Sequence, residues 1–100
     1  MAQENGALDA TLAAAAGGDV TLFAELRTAF VESMMLQVDL LRRARCDGNW
    51  NLAAMRLKGL GASFHADRLV SLADEALEAA PGEPVVVRKL EKLIDEFLVG

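Results

Sequence analysis

The sequence predicts an all-α domain, an antiparallel up-down four-helix bundle with a short extra helix at its N-terminus. Three observations predict it. Apolar residues recur at steps of three and four over most of the chain, the period of a helix with one buried face. Alanine and leucine, both strong helix formers, dominate the composition. Only two prolines occur, Pro81 and Pro84, and both fall in one turn. No run shows the alternation and turn spacing of strands.

One hundred residues, 53% of them hydrophobic, suit a single domain spanning 1–100. Residues 1–7 are expected to fray. A short helix over 8–16 should stop at Gly17-Gly18, where glycine accommodates a positive φ. Asp19 is a suitable N-cap for the second helix, expected over 20–46. There Phe23, Leu26, Phe30, Met34, Val38, Leu41 and Ala44 form one stripe. Arg42, Arg43 and Arg45 sit where cations suit the negative end of the helix dipole. Asp47-Gly48-Asn49 breaks the pattern, with Asp47 or Asn49 as the next cap.

The third helix buries Trp50, Ala53, Leu57, Leu60 and Phe64. The fourth should begin near Ala66 or Asp67 and bury Leu69, Val70, Leu72, Ala73, Ala76, Leu77 and Ala80. Pro81-Gly82-Glu83-Pro84 turns the chain. The last helix, over 85–98, buries Val86, Leu90, Leu93, Ile94 and Phe97. Short connections between amphipathic helices favour antiparallel neighbours.

Composition excludes several classes of function. Ten Lys and Arg against fifteen Asp and Glu give a net charge of −5, which disfavours nucleic acid. The single cysteine, Cys46, has no second cysteine to pair with and fits a reducing compartment. No leader-like start and no apolar run of ~18 residues is visible, so a cytoplasmic location away from membranes is expected. One His and one Cys, far apart, leave no zinc site and no Cys/His pair, and no cofactor is expected.

The third helix carries an unusual outer face. Met55 lies two residues from both Ala53 and Leu57, so it points away from the buried stripe. Lys58, Gly59 and Ala62 share its side at i+3, i+4 and i+7. A helical glycine costs about 1 kcal/mol relative to alanine, which exposure alone does not explain. Two small residues beside a long adaptable methionine leave the backbone open to a partner. Arg42, Arg43, Arg45, Arg56, Lys58 and Arg68 cluster around this region of an otherwise acidic chain. They serve either as a solvated face or as complementarity to an acidic partner.

The run Met55-Arg56-Leu57-Lys58-Gly59, followed later by His65-Ala66-Asp67-Arg68-Leu69, resembles the hallmark of histidine-containing phosphotransfer (HPt) domains of bacterial phosphorelays. That hallmark has the form His-x-Leu-Lys-Gly, with a Gly-Ala pair further on and a Leu three residues after its Ala. Gly18-Asp19, Phe30 and Trp50 support the resemblance, which covers residues 8–98. Two positions depart from it: Met55 stands where the phosphate-accepting histidine would be, and His65 stands where glycine is usual.

The resemblance implies a two-component signal transduction protein of HPt type. It would dock the receiver domain of a response regulator, or a hybrid sensor kinase, as a monomer or weak homodimer. Its docking residues would be Met55, Arg56, Lys58, Gly59 and Ala62. A thioether has no ionisable nitrogen, so Met55 cannot take phosphate, and a pseudo-phosphotransferase without enzymatic activity is expected. Two alternatives stay open: an active phosphotransfer protein using His65, and a non-signalling homodimeric bundle. His65 is also expected to serve as a turn residue, because His tolerates positive φ better than most side chains.

Overall fold

The computed structural model describes residues 2–99, and the side chains of residues 6–98. The chain forms α1 (Ala2–Ala16), α2 (Val20–Arg43), α3 (Asp47–Ser63), α4 (Asp67–Glu78) and α5 (Pro84–Val99). The last four close a ring of neighbours: α2 packs on α3, α3 on α4, α4 on α5, and α5 back on α2. The first helix packs on α2. The fold is therefore all-α, with a four-helix core and one further helix laid against it.

The expected stripes form the core. Phe30, Met34, Val38, Leu41, Trp50, Leu57, Leu69, Leu90, Leu93 and Phe97 are all buried. Phe23, Leu26, Leu60 and Phe64 are partly buried against them. Val31, Ala54 and Val87 join this core from positions beside the predicted stripes, because a stripe on a packed helix is wider than one row. Phe30 meets Phe64 and Phe97 edge-on, with centroids 5.3 and 5.6 Å away. One ring thus ties α2 to the end of α3 and to α5.

Several boundaries differ from expectation. Helix α1 is 15 residues long, longer than the 12 of α4, and begins at Ala2, not at the expected residue 8. Leu8 and Leu12, both fully buried, anchor it, and packing of this kind outweighs the helix cost of Gly6. Met1, part of the expected frayed start, lies outside the described residues. Helix α2 stops at Arg43 because Ala44 turns extended, with ψ 135°. Cys46, not Asp47 or Asn49, holds the N-cap position of α3 and makes no side-chain cap bond. Asp47 falls in the first turn, where its charge suits the helix dipole. Ala80 is exposed, since α4 has already ended at Glu78. Asp19 caps α2 as expected, its Oδ1 accepting from the Leu22 N–H at 3.0 Å.

Two contacts set the position of α3. The indole N–H of Trp50 donates to the Ala76 carbonyl at 2.7 Å, inside the core. It holds the start of α3 to the last turn of α4. At the other end, the N–H of Ala66 donates to the Gly61 carbonyl at 2.8 Å, and the N–H of His65 to the Ala62 carbonyl at 3.5 Å. With His65 at φ 58°, this is a Schellman cap. Gly61 also lies against α4. A Cβ there would come within 2.9 Å of Val70 Cγ2 and 3.1 Å of both the Val70 N and the Ala66 carbonyl oxygen.

Gly61→Ala is therefore expected to lower stability by about 1–3 kcal/mol, because a β-branched neighbour and backbone must give way. Trp50→Ala should cost about 3–5 kcal/mol through the cavity it leaves. Thermal unfolding followed by circular dichroism checks both. Each kcal/mol corresponds to roughly 4–8 °C in a domain of this size.

Candidate functional site

The register of α3 decides what each side chain faces. With Trp50, Ala53, Ala54 and Leu57 buried, Met55 is turned outward and is 61% exposed. Arg56, Lys58, Gly59 and Ala62 are exposed with it. A Cβ on Gly59 would meet nothing within 4 Å, so no neighbour within the chain requires a glycine there. The structure thus brings Met55, Lys58, Gly59 and Ala62 onto one face of α3, with Arg56 at its edge.

The charges are arranged differently from a free basic patch. Lys58 Nζ pairs with Asp74 of α4 at 2.9 Å, both side chains about half exposed. Water screens such a pair, which holds the lysine in place with at most about 1 kcal/mol. Arg68 pairs with Glu96 of α5 at 2.9 Å. Arg42 and Arg43 share Asp39, the Arg43 contact being long at 3.3 Å. Arg45 and Arg56 have no ion-pair partner among the described residues.

His65 lies beyond the last residue of α3, exposed, in the left-handed conformation. Its backbone N–H belongs to the cap described above. It is therefore a turn residue in the place where glycine costs least. Its position in the reversal separates it from the Met55 face.

Sequence reasoning missed a groove beside that face. Gln37, Leu40, Arg43 and Ala44 of α2 and its end line one side. Asn49, Leu52, Ala53 and Arg56 of α3 line the other, around a volume of about 360 Å³. Leu40 and Leu52 are 40% and 48% exposed. The signal was available: both leucines fall off the buried stripes of their own helices, as Met55 does. What the separate stripes could not give was that the two leucines line one groove.

The outward residues of this face are apolar, small or cationic. Met55 is a weak acceptor without a titratable proton. Among the described residues no three His, Cys, Asp or Glu side chains gather where they could hold a metal ion, and no helix is long and apolar enough to cross a membrane.

No family model, no curated protein and no solved structure matches this chain. The expectation of a phosphorelay protein is not supported by any of them. The structure shows an all-helical fold of five helices, four around one core and one laid against them, and no relative supports a phosphotransfer or phosphorelay role.

Gly59 and His65 give opposite expectations to Gly61. Gly59→Ala should raise stability by up to about 1 kcal/mol, since alanine is the better helix former and the space is open. His65→Gly should also stabilise, by about 1 kcal/mol, by relieving a side chain at positive φ. Chemical denaturation of the two variants beside the parent chain measures both. A loss of stability in Gly59→Ala would mean that the added methyl meets a neighbour, and a loss in His65→Gly that the imidazole makes a contact its exposure does not suggest.

Proposed function

We propose that the chain is a non-catalytic helical docking module that binds another protein through the outer face of α3. The observation that carries this reading is Met55. A long apolar side chain stands 61% exposed on a helix whose next turn is opened by Gly59. Leu52, one turn earlier on α3, is also exposed. Adaptable methionine beside small residues is a surface that packs against a partner and gives close backbone approach. The partner class implied by the sequence resemblance, a receiver domain or a kinase, is the first to assay.

Two finer statements belong to this reading. The core helices run alternately up and down, as connections of three to five residues favour. The module works in the cytoplasm, a setting that suits an exposed free thiol at Cys46.

Isothermal titration against receiver domains and kinases of the source cell tests the proposal. Binding is expected for the parent chain, with Met55→Glu weakening it by roughly tenfold or more, as for a central interface anchor. Phosphorylated partners should leave no label on the chain. Label that disappears in His65→Ala would overturn the non-catalytic reading, and binding indifferent to Met55→Glu would remove the outer face of α3 from it.

A further inference from the structure

The groove between α2 and α3 differs from the outer face in shape and in charge. Its floor is small, with Ala44 and Ala53 both buried. Its walls expose one leucine each, Leu40 and Leu52. Arg43 lies at the end of α2, beside the connection, and Arg56 lies nine positions into α3. Nine positions are about 13 Å along the axis of α3. The guanidinium of Arg43 is held only by an Asp39 that Arg42 also uses. Arg56 has no ion-pair partner among the described residues. In a chain of net charge −5, this is a locally basic surface.

A second, independent observation comes from Gln37, which also lines the groove. Its Oε1 is buried, and no donor lies within hydrogen-bonding reach among the described residues. A buried acceptor left unmet costs on the order of 1–3 kcal/mol, so the protein carries an unsatisfied polar group at the margin of the groove.

We infer that this groove is a docking site for an acidic amphipathic helix of a partner protein. Two packed helices with small residues between them leave a trough that a third helix fits with its apolar face. Leucines on the occupant pack against Leu40 and Leu52 over the alanine floor. Carboxylates about two turns apart on its flanks reach Arg43 and Arg56. A second copy of this chain is a poor occupant, because two-fold pairing of the face brings its arginines toward one another.

This inference shares Leu52 and Arg56 with the docking face proposed above, but Leu40 of α2 belongs to the groove alone and Met55 to the outer face alone, so the two fail separately. The probe is a fluorescent synthetic helical peptide with leucines at i, i+4 and i+7 and glutamates about two turns apart. Two controls accompany it, one with lysine for each glutamate and one with serine for each leucine. Fluorescence anisotropy should show saturable binding of the first peptide, and binding at least roughly tenfold weaker for both controls. Leu40→Ser, Leu52→Ser and Arg56→Glu should each weaken the first peptide by roughly tenfold, the last more strongly at low salt. Arg88→Glu makes the same charge change on α5, which does not line the groove, and should leave binding within about twofold.

Helix content and melting temperature of each variant separate lost binding from lost folding. All the substituted side chains are exposed. No saturable binding, equal binding of the lysine peptide, or equal loss in Arg88→Glu would overturn the inference. So would a concentration-dependent doubling of mass that Leu40→Ser abolishes, since that assigns the groove to a second copy. Peptide binding that survives while full-length partners ignore Met55→Glu keeps the groove and removes the outer face.

Discussion

The reversal between α3 and α4 depends on one residue with no side chain. The Gly61 carbonyl receives the Ala66 N–H at 2.8 Å, which closes the cap of α3. Its α-carbon meanwhile lies where any larger residue would press on Val70 and on backbone. The two facts act together. The cap fixes the direction in which the chain leaves α3, and the bare α-carbon lets α4 return along it closely. His65 is held at positive φ by the same geometry, at a position where a β-carbon costs roughly 1–2 kcal/mol. The fold accepts that cost at one exposed position and recovers it through Ala66 and Leu69, both fully buried just beyond.

Once that reversal is fixed, the rest of α3 has no freedom of rotation. Trp50 is held to the Ala76 carbonyl at 2.7 Å, so α3 is pinned to α4 near both ends. Ala53 and Leu57 follow into the core between those points. Met55, Gly59 and Ala62 are then outward by geometry, and Leu52 and Arg56 fall at the edge facing α2. Lys58 reaches Asp74 at 2.9 Å because α4 runs close by. A side chain that looks like a free cation in the sequence is therefore a bridge between helices. The surface that remains is apolar at its centre and basic toward α2.

The core was legible in the sequence because helical periodicity needs only local information. Phe30, Leu57, Leu69, Leu90 and Phe97 lie on stripes of steps three and four, and each is buried. The outward direction of Met55 followed from the same counting, as did the turn role of His65 from its tolerance of positive φ. What stayed hidden needs two elements at once. Gly61 looks like one more glycine until Val70 is placed against it. The groove requires Leu40 and Leu52 to face each other across two helices. The extent of α1 was hidden for a different reason. Its alanine-rich sequence favours helix but has little amphipathic pattern to mark where the helix starts, and burial of Leu8 and Leu12 decides it. The alternation of up and down helices rests on connection length, and the family resemblance rests on motif spacing that no known relative supports.

A methionine at the centre of the exposed face of α3 changes what that face can use to hold a partner. An imidazole there would offer a proton site and a directional bond. A thioether offers area and adaptability, with at most weak acceptance. If the face docks a partner as proposed, association would come from apolar packing, which is non-directional and sets affinity without setting orientation. Orientation has to be supplied by fixed charges and by shape. Arg43 and Arg56 lie far enough apart to define a direction along the groove, and the small residues Ala44 and Ala53 define its depth. Lys58, tied to Asp74, contributes less, since binding an anion there means sharing or breaking an existing pair. On the docking reading proposed above, the leucines and Met55 would supply contact area, and the arginines at the edge of α2 and α3 would set which way a partner lies.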